Sequence, residues 1–214
     1  KSAKEVVVIF RNNNGGVGAA TKDGIRKALE MGADLIVKVD ADGQMAPELI
    51  PDLVFPLKEG TAAFSKGTRF DTPEDLEGMP RIRLLGNAAL SLINKLTSGY
   101  WTVNDPTNGF IAMKASVARE VNWKKIDDGY FFESDLLFRL RLLGVKVSQM
   151  RMRSVYNGQQ SGLNPLAQVL PFGWKHFRNQ VKRIAYLYLI REWNLGTIYI
   201  VASISSFIIG IVAG

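Results

Sequence analysis

Two aspartates and a glutamine carry the plainest chemistry in this sequence. Asp40, Asp42 and Gln44 lie in the segment VDADGQ, directly after the apolar run LIVKV. Ligand sites in open α/β sheets form beyond the carboxyl ends of strands. Two carboxylates and an amide oxygen in one turn can converge on Mg²⁺ or Mn²⁺ and leave coordination positions for diphosphate oxygens. An Asp-Gly turn that closes a strand is the structural alternative, but such a turn does not need two carboxylates.

A second group of polar residues follows one stripe of a predicted helix. These residues fall three or four apart in an otherwise apolar segment: Arg83, Asn87, Ser91 and Asn94. Together with Arg69, Arg83 could supply the forked donors that match phosphate oxygens. A solvated helix face explains the stripe equally well.

Three further acids are candidates for a site. Asp105 opens the turn-rich segment DPTNGF, and Glu133 and Asp135 stand at the start of a predicted helix. Each has a structural explanation, because Pro and Gly make the first segment a loop and acids in a first helical turn are stabilised by the helix dipole. Asp135 could also pair with Arg139, four residues on.

Composition limits what could hold a metal. The chain has 214 residues, 47% of them hydrophobic, which suits one α/β domain with a short appendage. It has no cysteine and one histidine, His176, so any metal must be held by oxygen. The net charge of +7 suits nucleic acid, anionic lipid headgroups or phosphorylated substrates.

The C-terminal sequence favours lipid among these partners. Residues 195–214 carry no formal charge and are long enough to cross a membrane as a helix, although a buried core helix has a similar composition. Basic and aromatic residues are interleaved just before this segment, which predicts an interfacial helix over 166–194 on the cytoplasmic side. An ordinary amphipathic surface helix is the alternative. We therefore expect a lipid bilayer and no nucleic acid as partner.

The order of the elements predicts an α/β fold. Predicted strands cover 6–10, 34–39, 62–66, 109–114 and 145–151, and predicted helices cover 19–31, 47–58, 81–97 and 131–143. This alternation predicts a mostly parallel sheet flanked by helices. The glycine-rich segment 12–18 lacks the features of a phosphate-binding loop and is best interpreted as a tight turn from strand to helix.

Several segments, taken in order, resemble the family 2 glycosyltransferases of GT-A fold. They are NNNGGVGAATKDGIRKAL, VDADGQMAPELIP, KGTRF, RIRLLGNAALS, DPTNGF and GYFFESDLLFRLRLLG. The branch that this sequence resembles includes dolichyl-phosphate mannose synthase and bacterial polyprenyl-phosphate glycosyltransferases. The resemblance implies a catalytic domain over 1–165, an interfacial helix over 166–194 and a transmembrane helix over 195–214. It also implies inverting, metal-dependent transfer of a sugar from a nucleotide-sugar donor to a polyprenyl phosphate.

The same resemblance assigns roles to individual residues. Asp40, Asp42 and Gln44 would hold Mg²⁺ or Mn²⁺. Arg69 and Arg83 would contact phosphates, with Asn87 at a position often filled by a phosphate-binding serine and Ser161 on a loop beside the acceptor. Asp105, Glu133 and Asp135 would position substrates, and Glu133 or Asp135 would act as general base only for a hydroxyl acceptor.

One part of the family's pattern is not matched. The family begins with a strand, a helix and a second strand that grip the nucleotide base, and nothing in this sequence corresponds to them. We expect base recognition to depend on residues upstream of Lys1.

Two rival functions are considered. A processive polysaccharide synthase of the same fold would typically show a Gln-x-x-Arg-Trp motif, whereas here Gln180 and Arg183 are followed by Ile184. A non-catalytic membrane protein that binds anionic lipid is the other rival, and it would not need a metal at Asp40 and Asp42.

Overall fold

The chain folds into a sheet with helices on both faces. The computed structural model describes residues 6–70, 81–152 and 165–213, with the backbone alone at 81–83 and 165–168. Four strands form the sheet of the described part: β1 (Leu35–Lys38), β2 (Phe64–Thr68), β3 (Ile111–Lys114) and β4 (Val147–Arg151). The α-helices are α1 (Val17–Glu30), α2 (Ile50–Lys58), α3 (Arg81–Ser98), α4 (Ala115–Glu120), α5 (Phe132–Leu142), α6 (Pro165–Ile184) and α7 (Leu195–Ala213). Short 3₁₀ turns cover Pro47–Leu49 and Trp123–Lys125, and Ala185–Arg191 is π-helical.

The sheet is mixed, so the prediction of a mostly parallel sheet was wrong. The strand order is β1-β3-β2-β4; β3 runs antiparallel to both β1 and β2, and β2 pairs with β4 in parallel. For β3 to be parallel to β2, the connection between them would have to cross the sheet and start β3 at the edge where β2 begins. The connection through α3 instead ends at the edge where β2 ends. Strand β3 therefore runs in the opposite direction, between β1 and β2.

The two faces of the sheet form two hydrophobic clusters. On one face, Ile36, Phe64 and Ile111 pack against Leu136 and Leu140 of α5. On the other face, Ala112 packs with three leucine and valine side chains of α2, namely Leu53, Val54 and Leu57. Because successive residues of a strand alternate between faces, this arrangement also fixes which polar residues lie beneath α5.

The predicted strand at 6–10 was also wrong. This segment has no regular secondary structure, and Val6 and Phe10 are 94% and 89% exposed. An apolar, β-branched run forms a buried strand only where a neighbouring strand satisfies its backbone, and none pairs with it in the described residues. The tight turn predicted after it does lead into a helix, with Gly16 at φ 89° immediately before α1. The other predicted helices and strands are observed, with ends that differ by at most three residues.

Helix α6 is fixed to the α/β domain by polar contacts. His176 Nδ1 lies 3.0 Å from Thr97 Oγ1 of α3, and Asn179 Nδ2 donates to Asp135 Oδ1 of α5 at 2.9 Å. Lys175 pairs with Asp127 at 2.5 Å. The predicted interfacial segment is therefore packed on the domain along one face, through α6 and the π-helical turn that follows.

The last helix, α7, is almost entirely exposed. It is the one helix in the described part of the chain that is long and apolar enough to cross a membrane. Only 6% of its most apolar 18-residue stretch is buried. Thr197 ties its first turn to the π-helical segment by donating to the Tyr188 carbonyl oxygen at 2.5 Å.

Acid should destabilise the folded protein through His176, which packs α6 against α3. Burial lowers the pKa of His176 from 6.5 to about 4. Between these two pH values the imidazole of His176 is protonated in the unfolded chain and neutral in the folded chain. The free energy of unfolding therefore falls as the pH drops from 6.5 towards 4. The loss of unfolding free energy due to this residue is expected to be about 3 kcal/mol at the acid end of that window.

Thermal unfolding in detergent across this pH window checks the prediction. In His176→Gln the part of the slope due to imidazole should vanish, because glutamine does not titrate and His176 is the chain's single histidine. Equal acid slopes in the two proteins would show that other groups cause the loss.

Candidate functional site

The candidate site lies at one edge of the sheet. Strands β1 and β2 end there, and β3 begins there because it runs antiparallel to both. Asp40 follows β1, Arg69 follows β2, and the segment 105–110 precedes β3. The sequence places these three pieces far apart, and the strand order brings them together.

Lys38 lies at the centre of this edge. Its Nζ is 2.7 Å from Asp40 Oδ1 and 3.6 Å from Glu133 Oε1, and it donates to the Gly109 carbonyl oxygen at 3.3 Å. Glycine at 109 leaves room for this contact, because a side chain there would displace Lys38 Nζ and Asp40 Oδ2. Lys38 thus links the end of β1, the start of β3 and the first turn of α5.

The strand register explains why two lysines meet beneath α5. Lys38 and Lys66 are both paired with Ile111, from opposite sides of β3. Residues paired across a sheet point to the same face, and this is the face that α5 covers. Glu133, in the first turn of α5, therefore lies near both ammonium groups.

Glu133 is a buried acid in this positive environment. It is 9% exposed, and burial raises the pKa of its carboxyl group, while the nearby charges of Lys38 and Lys66 oppose that rise. The protonated and ionised forms of Glu133 are therefore closer in free energy than for a glutamate in water.

Lys66 supports the loop that precedes β3. It is fully buried, and its Nζ donates to the carbonyl oxygens of Asp105 and Pro106, both at 2.7 Å. Burial lowers the pKa of Lys66 to about 8, although the negative charge of Asp105 pulls it upwards. Lys66 therefore carries a positive charge at pH 7 beneath the site.

Asp105 and Arg69 form a two-pronged ion pair. Arg69 donates to Asp105 Oδ2 from Nε at 2.6 Å and to Oδ1 from Nη2 at 2.8 Å, and its backbone N–H donates to Oδ2 at 3.1 Å. The Asp105 side chain is completely buried, whereas that of Arg69 is 24% exposed. The guanidinium fork that we predicted for phosphate oxygens is directed at Asp105 and holds the ends of β2 and the 105–110 loop together.

The donor atoms of the turn after β1 fit a hard cation. Asp42 Oδ1 accepts the backbone N–H of Gln44 at 3.0 Å, which fixes the turn, and Lys38 holds one oxygen of Asp40. Among the described residues no three His, Cys, Asp or Glu side chains are grouped as a metal site. Mg²⁺ and similar cations are usually held by one or two carboxylates together with substrate phosphates, so the side chains of Asp40 and Asp42 match in type and number what a cation that arrives with a diphosphate takes from a protein.

Asp135 belongs to a different part of the structure. Its Oδ2 accepts a hydrogen bond from the backbone N–H of Asp127 at 3.0 Å, and its Oδ1 accepts one from Asn179 of α6. Asp135 therefore contacts α6 and the loop before α5. Residues two apart on a helix point in nearly opposite directions, which separates Asp135 from Glu133. Burial raises the pKa of Asp135, against the opposing charge of Arg139.

Three predicted site residues remain: Asn87, Arg83 and Ser161. Asn87 is half-buried on α3. The side chain of Arg83 and the whole of Ser161 lie outside the described residues.

Sequence reasoning missed the two lysines. A charged residue within a predicted buried strand, as in LIVKV and FSKGT, was the available signal. Such a charge is rarely buried without a partner, so it indicates carboxylates or carbonyl groups nearby.

Comparison with known proteins decides the family. The model of "Glycosyl transferase family 2" matches residues 1–121, which is more than half of the chain. The chain belongs to glycosyl transferase family 2. For this family 2 glycosyltransferase, the sheet edge described above is the candidate active site.

Curated relatives of this family 2 glycosyltransferase are about 30% identical to it. A UDP-N-acetylglucosamine–dolichyl-phosphate N-acetylglucosaminyltransferase of Methanococcus voltae is 31% identical over 71% of this chain and 60% of that protein. An undecaprenyl-phosphate mannosyltransferase of Micrococcus luteus is 32% identical over 68% of this chain and 59% of that protein. The chain thus spans about 60% of the length of these relatives.

A solved structure shares the fold. Glucosyl-3-phosphoglycerate synthase from Mycobacterium tuberculosis, in complex with Mn²⁺, UDP and phosphoglyceric acid, has a TM-score of 0.53. It is 21% identical, and the match covers 78% of this chain and 54% of that one. The fold of this family 2 glycosyltransferase is therefore GT-A-like.

Proposed function

We propose that this protein transfers a sugar from a nucleotide-diphosphate sugar to a polyprenyl phosphate, with inversion at the anomeric carbon and with Mg²⁺ or Mn²⁺. The observation that carries the proposal is the ion pair of Asp40 with Lys38, with Asp42 in the same turn, at the sheet edge where β1 and β2 end. Oxygen donors and positive charge are combined there, as a diphosphate and its cation require.

The relatives support the acceptor and the cation. Two of them are named for transfer to dolichyl phosphate or undecaprenyl phosphate. The structural relative was solved with Mn²⁺ and UDP. An acceptor that carries a long isoprenoid chain also agrees with the apolar helix α7.

The proposed reaction is a single displacement. An oxygen of the acceptor phosphate forms a bond to the anomeric carbon as the bond from that carbon to the donor diphosphate breaks, and the nucleoside diphosphate leaves with the electron pair. Asp40, Asp42 and Gln44 would hold the cation, which supplies charge neutralisation on the leaving diphosphate when it is bound. The ammonium groups of Lys38 and Lys66 add positive potential at the same edge. The acceptor phosphate is already anionic near pH 7, so no strong base is required.

A direct assay tests the proposal. The native protein is supplied with Mn²⁺, a short prenyl phosphate and, in turn, radiolabelled UDP-N-acetylglucosamine, UDP-glucose and GDP-mannose. Labelled prenyl-phosphate sugar from at least one donor, lost on adding a chelator, is expected. A protein that binds Mn²⁺ and anionic lipid but transfers nothing would favour the non-catalytic alternative.

The variant Glu133→Gln distinguishes a phosphate acceptor from a hydroxyl acceptor. Because a catalytic base contributes roughly 10²- to 10⁴-fold, transfer to prenyl phosphate should fall by less than about tenfold if no base is needed. The exposed Glu120→Gln is the matched control and should leave the rate unchanged. A loss of about a hundredfold or more in Glu133→Gln alone would mean that Glu133 deprotonates the acceptor.

We also propose that α7 crosses the membrane and that the catalytic domain lies on the cytoplasmic side. The basic residues of α6 and of the π-helical turn lie next to the apolar span, as on cytoplasmic flanks of transmembrane helices. Since the chain has no cysteine, Asp34→Cys provides a single thiol at the exposed position just before β1. Labelling of this thiol in intact cells by a membrane-impermeant maleimide would contradict the proposed orientation.

A further inference from the structure

A row of residues crosses all four strands of the sheet close to the candidate active site. The strand register aligns one residue of each strand side by side: Lys38, Ile111, Lys66 and Gln149. Residues aligned in this way point to the same face, which is the face that α5 covers. The neighbouring row on this face is entirely apolar and consists of Ile36, Met113, Phe64 and Val147. Polar side chains therefore replace apolar ones on three of the four strands where the sheet approaches the site.

Gln149 binds the backbone at the start of the segment that precedes β3. This segment, 102–109, contains neither a helix nor a strand. Gln149 Oε1 accepts the backbone N–H of Asn104 at 2.9 Å, and Gln149 Nε2 donates to the carbonyl oxygen of Thr102. Because the oxygen and the nitrogen of one amide are both engaged, the side chain bridges two peptide groups and fixes their position relative to β4.

The two lysines of the row bind the rest of the same segment. Lys66 donates to the carbonyl oxygens of Asp105 and Pro106, and Lys38 donates to that of Gly109. The row thus contacts the segment at its start from β4, at its middle from β2 and at its end from β1. Three side chains that are far apart in sequence hold one stretch of backbone across the sheet.

Gln149 is too far from the acidic turn after β1 to act there directly. Neighbouring strands lie about 4.8 Å apart, so three spacings put Gln149 roughly 14 Å from Lys38. Its effect on the site must pass through the segment that it binds. Asn104 immediately precedes Asp105, whose carboxylate accepts two hydrogen bonds from the guanidinium of Arg69. A shift of the peptide group at Asn104 therefore reaches the ion pair through one residue.

We propose that Gln149 is a positioning residue for sugar transfer, which acts by holding the segment 102–109 in place. This inference rests on the proposed function, since it assigns Gln149 a part in that reaction. A misplacement of about 1 Å caused by a change remote from the chemistry can cost roughly a hundredfold in rate. Removing the two hydrogen bonds of Gln149 should therefore lower kcat at least about tenfold, with little change in the KM of the donor.

Two variants of Gln149 and one control test the proposal. Gln149→Leu removes both hydrogen bonds at similar side-chain size, whereas Gln149→Glu keeps the acceptor for the Asn104 N–H and loses the donor. Ser148→Ala is the matched control, because Ser148 precedes Gln149 on β4 and points to the opposite face. We expect the lowest kcat in Gln149→Leu, an intermediate kcat in Gln149→Glu and the native value in Ser148→Ala. The assay is run at a temperature at which thermal unfolding in detergent shows every variant fully folded, so that a change in stability alone leaves kcat unaltered.

Hydrogen exchange provides a readout that is independent of sugar transfer. In Gln149→Leu, the peptide that contains Asn104 should exchange about five- to tenfold faster, as expected for the loss of one net hydrogen bond. A peptide from α2, on the other face of the sheet, should exchange as in the native protein.

Each result supports or overturns the proposal. A native kcat in folded Gln149→Leu would overturn the positioning role, and native exchange at Asn104 would show that Gln149 does not hold the segment. If Gln149→Leu does not fold, the same two measurements on Gln149→Glu decide. If the native protein itself transfers no sugar, the proposed function fails and the positioning role fails with it, whereas faster exchange in Gln149→Leu would still establish the contact.

Discussion

Replacing Asp42 by alanine is expected to abolish metal-dependent sugar transfer and to leave the fold intact. The Asp42 carboxylate lies on the half-buried turn after β1, where its one described contact is with the backbone N–H of Gln44. Removing a group that stabilises charge in the transition state typically costs 10²- to 10³-fold, so the rate should fall at least about a hundredfold. Loss of the local hydrogen bond should lower the unfolding free energy by only about 1 kcal/mol.

The control is an aspartate at the other end of β1. Asp34 precedes β1 at the opposite edge of the sheet and is exposed, so Asp34→Ala should transfer at the native rate. Titration calorimetry with Mn²⁺ and a nucleoside diphosphate provides a readout independent of turnover, and binding should be lost in Asp42→Ala alone. Native transfer and native Mn²⁺ binding by Asp42→Ala would contradict the metal assignment.

The variant Asp105→Ala should cause the largest loss of stability that we expect from a single site residue. It leaves Arg69 without the carboxylate that accepts two hydrogen bonds from its guanidinium and one from its backbone N–H. It also leaves Lys66 bound to the carbonyl groups of a loop that Arg69 no longer holds. Breaking a buried ion pair costs about 3–5 kcal/mol, and the partial exposure of Arg69 places the expected cost near the lower value. Transfer should be lost as well, because the same loop brings Gly109 against Lys38 and Asp40.

Chemical denaturation in detergent measures this loss, with an exposed ion pair as reference. Glu30→Ala removes the pair between Lys27 and Glu30, whose side chains are 41% and 55% exposed, and should cost less than about 1 kcal/mol. A double-mutant cycle with Arg69→Ala assigns the coupling to the pair itself. A cost for Asp105→Ala no larger than that for Glu30→Ala would show that Asp105 does not hold the loop.

Much of the candidate site could be predicted from local sequence. Asp40 and Asp42 were identified because they follow an apolar strand, and that position depends on fewer than ten neighbouring residues. Their partners could not be predicted in this way. Lys38 meets Glu133, 95 positions later, only because β3 lies between β1 and β2 and turns both lysines toward α5.

The polar stripe on α3 shows the same limit. Its period of three to four residues correctly predicted a helix with two unlike faces, yet periodicity is the same whether the polar face points outward or inward. The structure buries Asn94 against the domain and exposes Leu92 and Ile93, so a solvated polar face, the simpler interpretation of the stripe, was wrong for Asn94.

By itself, then, the sequence determined most of the elements, the acidic turn after β1 and the apolar segment that forms α7. Each of these depends on residue types within one turn, one strand or one helix. Tertiary structure alone decided the antiparallel insertion of β3, the pairing of Arg69 with Asp105, and the separation of Glu133 from Asp135. The physical reason is that these features depend on which segments share an edge or a face of the sheet. That choice is made by burial of both faces at once, to which every element contributes and which no single stretch of sequence encodes.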